Sequence, residues 1–163
     1  MTTTPAPSAA VLADIVAIQH VLYRYAIAID TCQLDMLDDC FTADAELQMT
    51  VAGKYASPAA YKEKARVALA KLDATHHAVS SPLIEVDGDR ATAHSYYHAQ
   101  HVLNALAPNP FFMIGGWIDD ELERRPEGWR ITKRRGQAVW YDGNPAVLEM
   151  DVIPGANPDL KRR

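Results

Sequence analysis

At 163 residues, 48% of them hydrophobic, the chain is long enough for one domain with a sizeable core and short of two comfortable ones. The net charge is −5, and apart from Lys133-Arg134-Arg135 and Lys161-Arg162-Arg163 the basic residues are scattered, which excludes a broad phosphate-binding face and with it nucleic acid as an expected partner. No apolar run reads as the roughly 20 residues that span a bilayer, Met1 to Ala10 lacks the basic-then-apolar order of a secretory signal, and Cys32 and Cys40 match no zinc or redox spacing, so the expectation is a cytoplasmic protein with reduced thiols and no membrane partner.

Residues 1–10, rich in Thr, Pro and Ala, read as a tail. From Val11 to Ile29 the apolar residues Leu12, Ile15, Val16, Val21, Leu22, Tyr25, Ala26 and Ile29 recur every third or fourth place, which predicts one long amphipathic helix. A helical turn through Leu34, Leu37 and Phe41 follows, and then Ala45, Leu47, Met49 and Val51 alternate with polar residues as a strand does. Gly53 ends that strand. Ser57-Pro58 supplies a cap and a first-turn proline for a second helix to about Lys71, with Tyr61, Ala65 and Leu69 on one side. Beyond Ala74 the pattern is β: His76 to Val86 and Arg90 to about Leu103 flank the hairpin signal Asp87-Gly88-Asp89, and Phe111 to Arg124 turns at Pro126-Glu127-Gly128 into Trp129 to Tyr141. Helices first and consecutive long strands after them predict an α+β domain over residues 11–145, with the helices packed on a curved antiparallel sheet that can wrap a pocket, and a tail over 146–163.

Three ionisable groups far apart in this pattern suggest a buried acid/base site: Asp30 late in the first helix, His77 in Thr75-His76-His77, and Arg134 shortly after Trp129-Arg130-Ile131. An imidazole held by a carboxylate transfers protons near neutral pH, and a guanidinium can stabilise the negative charge that results. Neighbouring strand residues point to opposite faces, so only one of His76 and His77 can serve such a site. His94 and His98 share a strand face while His101 has the opposite parity, and without a clear carboxylate partner no metal site is expected.

The run Ile18-Gln19-His20-Val21-Leu22-Tyr23-Arg24-Tyr25 followed by Asp30, then Phe41-Thr42-Ala43-Asp44-Ala45, Thr75-His76-His77, Val86-Asp87-Gly88-Asp89-Arg90-Ala91 and Gly128-Trp129-Arg130-Ile131 with Arg134, resembles SnoaL-like proteins of the nuclear transport factor 2-like superfamily. The likeness runs from about Val11 to Tyr141 and is nearest in pattern to scytalone dehydratase, bile acid 7-alpha-dehydratase and the dehydrochlorinase of gamma-hexachlorocyclohexane. It implies a cone-shaped α+β barrel around a cavity, no cofactor, and a homo-oligomer, with a trimer favoured over a dimer. It also implies that His77 and Asp30 are the catalytic pair, that Arg134 stabilises charge, and that Tyr25 or His101 supplies an acid. Tyr55 resembles a pocket tyrosine of the dehydrochlorinase, and Phe112, Met113, Trp117 and Trp140 are apolar candidates for the pocket wall. The expected function is a cofactor-independent lyase acting on a small, largely apolar cyclic, aromatic or polycyclic substrate. The alternatives are a ketosteroid-isomerase-like isomerase or polyketide-type cyclase, and a non-catalytic small-ligand-binding protein.

Overall fold

The first helix, α1 (Ala9–Asp30), starts where the Ser8 hydroxyl accepts the Val11 N–H and ends where Thr31 donates its hydroxyl to the Ile27 carbonyl. In the computed structural model, which describes residues 6–150, its inward stripe is Ile18, Val21, Leu22, Tyr25, Ala28 and Ile29, the spacing of one helix face. Contrary to the sequence reading, α1 is by length and composition long and apolar enough to cross a bilayer. Its stripe is instead buried in the core cluster that it shares with the second helix and the sheet.

A 3₁₀ turn at Leu34–Asp39 leads to β1 (Phe41–Met49), which therefore begins earlier than the alternation from Ala45 suggests. A short strand, β2 (Gly53–Tyr55), pairs antiparallel with β1. The second helix, α2 (Pro58–Leu69), is capped by Ser57 and buries Tyr61 and Ala65. The long strands are β3 (Ala74–Asp87), β4 (Arg90–Val102), β5 (Phe111–Arg125) and β6 (Gly128–Gly143). They form one curved, unclosed six-stranded sheet in the order β2-β1-β6-β5-β4-β3. The four long strands run antiparallel to their neighbours, as the turns predict, whereas β1 lies parallel to β6. The mixed α+β cone expected from the sequence is thus present.

Two irregularities in β6 decide which side chains face the helices. Leu122 pairs with Ile131 but Glu121 pairs with Lys133, so Thr132 is an extra residue in the ladder. A second shift lies between Gly115 and Gly116, where Gly115 pairs with Trp140 and Gly116 with Ala138. Glycine is required there: a Cβ on Gly115 would meet the Trp140 ring at 2.1 Å, and one on Gly116 would meet the Gln137 carbonyl oxygen at 1.9 Å.

The expected C-terminal tail from residue 146 is ordered at its start. Pro145–Leu148 form a 3₁₀ turn whose Val147 is 3% exposed and packs with Tyr97, Ala99, Phe112, Ile114, Ile118 and Ala138. Residues 1–5 and 151–163 of the two expected tails lie outside the described residues.

Candidate active site

Asp30, the last residue of α1, meets β3 at three points. Its Oδ1 lies 2.6 Å from Nδ1 of His77 and accepts the Thr75 hydroxyl at 2.8 Å, while Oδ2 accepts the His77 backbone N–H at 2.7 Å. Burial pushes the Asp30 carboxyl up, but the side-chain and backbone hydrogen bonds from His77 outweigh it and hold the group below its ordinary value. An ionised carboxylate only accepts, so Nδ1 carries the proton and Nε2 is the basic nitrogen left to the cavity that His77 lines. The expected pairing of Asp30 and His77 is therefore a direct contact, and the alternation of β3 leaves His76 exposed.

His101 on β4 stands beside this pair, its ring 5.7 Å from that of His77 and nearly perpendicular to it. Burial, reinforced by nearby His77, pulls its pKa down to about 4, so the ring is neutral at neutral pH. Its Nδ1 is buried with no hydrogen-bond partner among the described residues. The stability of the fold should carry this signature. An unfolded His101 takes a proton near 6.5 and the folded one only near 4, so between these values the unfolded state binds more protons. Stability should therefore fall by up to about 3 kcal/mol as pH drops from 6.5 toward 4. His101→Gln should flatten that window in urea melts recorded across pH. The loss due to Asp30 falls lower, below 3.8, because its folded pKa is depressed.

The cavity has a volume of about 330 Å³. Ile29, Val79, Ala99, Ile114 and Ile118 give it apolar walls, and His77, His101, Tyr25 and Tyr61 give it polar points. Tyr25 and Tyr61 touch hydroxyl to hydroxyl at 2.6 Å. Tyr61 was not among the residues that the sequence singled out for the site. Its one signal is a place on the apolar side of α2, the side that packs toward Tyr25.

Arg134 faces inward but is not a wall residue. Asp120, directly opposite on β5, accepts its Nε and Nη2 at 2.7 Å each, and the guanidinium carbon lies 4.1 Å from the centre of the Tyr25 ring, behind it. Burial pulls the Arg134 pKa down, but the Asp120 carboxylate more than restores it, so the guanidinium stays charged. The inward place expected for Arg134 is found, but its guanidinium meets Asp120 and the Tyr25 ring rather than the cavity.

The apolar wall candidates also sit elsewhere. Tyr55 packs edge-on against Tyr61 and donates its hydroxyl to the Ala52 carbonyl, outside the cavity wall. Phe112 is fully buried against Tyr141. Met113 pairs with Gln100 and Trp117 with Tyr96, on the outer sheet face. Trp140 is turned to that outer face by the second β6 irregularity and meets His98 at 5.3 Å. His94 is there too, paired with Asp119 at 2.6 Å. Among the described residues no group of three or more His, Cys, Asp or Glu side chains is placed to hold a metal ion, and both cysteines are free, Cys32 exposed and Cys40 buried.

Fold and site together define a small α+β cone with a carboxylate-held histidine in its cavity, and the fold is shared with a solved protein of the nuclear transport factor 2-like superfamily from Salmonella enterica. The chain belongs to the SnoaL-like domain family, which matches residues 10–135. An uncharacterised protein of Mycobacterium tuberculosis, Rv2910c, is 30% identical over 131 residues, 78% of this chain and 86% of that one. Among solved structures, the Kfla4162 protein of Kribbella flavida superposes with a TM-score of 0.79 at 23% identity, over 86% of this chain and 99% of that one. A candidate scytalone dehydratase from Novosphingobium aromaticivorans does so with 0.75 at 19%, over 93% and 97%. A type 2 hexachlorocyclohexane dehydrochlorinase, LinA, gives 0.72 at 22%, over 91% and 97%. At these identities the structures share a fold with this chain.

Proposed function

We propose that this SnoaL-like protein is a cofactor-independent lyase that removes a proton from carbon and expels water or another leaving group from a small, largely apolar cyclic substrate. The observation that carries the reading is the 2.6 Å contact of Asp30 with His77 Nδ1 on the wall of a largely apolar cavity. Asp30 fixes the tautomer that leaves Nε2 unprotonated and faces the imidazolium formed when Nε2 takes a proton with an opposite charge. A volume of about 330 Å³ suits a small ring system. The proteins of similar fold that are named for dehydration or dehydrochlorination agree with this direction. Return of the proton to a different carbon would make the same site an isomerase, and attack by the carbanion on a second carbonyl would make it a cyclase.

A panel of cyclic ketones and β-hydroxy ketones incubated in deuterated water tests the reading. Wild-type protein should place deuterium at the carbon next to the carbonyl and, with the hydroxy ketones, yield a product lighter by one water. Exchange without loss of water would assign the isomerase branch. Exchange that is absent throughout the panel, or equally fast with His77→Ala, would remove His77 from the role of base. A homo-oligomer remains part of the proposal, with the exposed outer-face residues Tyr96 and Phe111 and the neighbouring Trp117 as the surface available to it.

A further inference from the structure

Three charged side chains line the cavity and are also exposed to solvent, which puts them at its rim: Lys64 on α2, Lys71 just beyond the end of α2, and Glu149 just after the turn Pro145–Leu148. Both carboxylate oxygens of Glu149 accept from Lys71 Nζ at 2.8 Å. That hydrogen bond and the charge behind it, with Lys64 adding a smaller pull through space, hold the Glu149 carboxyl below its ordinary value, so the group is ionised. The other cations on α2 are paired, Lys62 with Asp35 and Asp38 and Arg66 with Glu63, whereas Lys64 has no acid within ion-pair distance among the described residues. The rim therefore sets two cations against one carboxylate, above walls that are largely apolar.

Glu149 stands at φ 57°, in the left-handed region that favours glycine or asparagine. Its backbone does not call for glutamate. What this residue adds is a carboxylate that rests on Lys71 within electrostatic reach of Lys64.

We propose that Lys64 and Lys71 form a subsite for a carboxylate of the ligand, and that Glu149 is a built-in competitor which an incoming carboxylate displaces from Lys71. Displacement is easy. The Lys71 and Glu149 side chains are 52% and 69% exposed, so their ion pair is weak, and the released Glu149 carboxylate is already largely in water. One carboxylate exchanged for another leaves the charge at the rim unchanged, which sets the class of anion. The ligand class follows: a ring compound whose apolar body is covered by the deeper walls and whose carboxylate arm ends at the rim. A neutral compound of the same shape gains nothing from the lysines. The proposal names a substrate class for the cavity of Asp30 and His77 and rests on the proton-abstraction reading only in calling that ligand a substrate; the subsite itself is tested by binding alone.

The probes are 4-phenylbutanoate and its neutral partner 4-phenylbutanamide, titrated into the full chain by calorimetry. Wild-type protein should bind the acid about three- to fivefold more tightly than the amide, the worth of a half-exposed charge pair, and the preference should shrink as salt is raised. Lys64→Met and Lys71→Met should each remove most of the preference. Glu149→Gln should instead strengthen acid binding by a similar factor, with amide binding unchanged in all three variants. Lys71→Met and Glu149→Gln break the same ion pair, so opposite shifts in acid binding separate a subsite from a strap that merely ties the turn to α2. Shifts in the same direction, equal affinity of wild-type protein for acid and amide, or binding of neither probe would overturn the subsite. His77→Ala should keep the preference for the acid, so loss of turnover in that variant and loss of the preference in the lysine variants separate the base from the subsite.

Discussion

Replacing His77 by alanine is expected to lower kcat/KM for any substrate found in the ketone panel by roughly 10²–10⁴-fold, the usual worth of one positioned general base. The fold should survive, because Asp30 keeps the Thr75 hydroxyl and the residue 77 backbone N–H when the imidazole is gone. Asp30→Asn should lose nearly as much activity. An amide can present an N–H to Nδ1, which favours the other tautomer and moves the proton onto Nε2, where the base is needed. The double variant should be no worse than the worse single one, since the two residues act as a unit. Steady-state kinetics of the three variants beside far-UV circular dichroism checks this. Additive losses would mean that Asp30 and His77 serve separate steps, and wild-type rates in His77→Ala would end the assignment.

Much of this site is legible in the sequence because its two central residues sit on strongly patterned elements. The 3.6-residue period of α1 places Asp30 at the end of the stripe that runs through Ile18, Leu22 and Ile29, and the alternation of β3 separates His77 from His76. The hairpin signals locate β3 to β6 to within a few residues. What stays hidden depends on register and on non-local pairing. Trp129 and Ile131 face inward, so an unbroken β6 would turn residue 134 outward. The extra residue at Thr132 reverses that and sets Arg134 opposite Asp120. The second shift then sends Trp140 to the outer face, although in an unbroken strand its even spacing from Arg134 would keep the two on one side. The parallel join of β1 to β6 has no turn to announce it, and the irregularity between Phe41 and Glu46 blurs the alternation of β1. Tyr61 shows in the sequence only as part of one side of α2 with Ala65 and Leu69, because its hydroxyl partner lies 36 residues away on another helix.

The pair created by that bulge should be the most expensive single point of the fold to disturb. Asp120→Ala strands a fully buried guanidinium without its carboxylate and is expected to cost about 3–5 kcal/mol, a large part of the 5–15 kcal/mol that holds a domain together. Arg134→Met should cost less at mildly acidic pH than at neutral pH. Burial already pushes the Asp120 carboxyl up, and with the guanidinium that opposes this shift removed, the acid can take a proton and lose its charge. The double variant Asp120→Leu with Arg134→Met should recover most of the stability, because apolar side chains of similar volume avoid desolvating two charges. Urea melts of Asp120→Leu, Arg134→Met and the double variant at two pH values give the coupling directly. A double variant that is stable but has lost turnover of any substrate found in the ketone panel would assign the pair to the charge behind Tyr25 rather than to holding the sheet together. If instead it is as unstable as Asp120→Ala, the ion pair is itself part of the packing that sets the register of β5 against β6, and its place behind the cavity follows from that register.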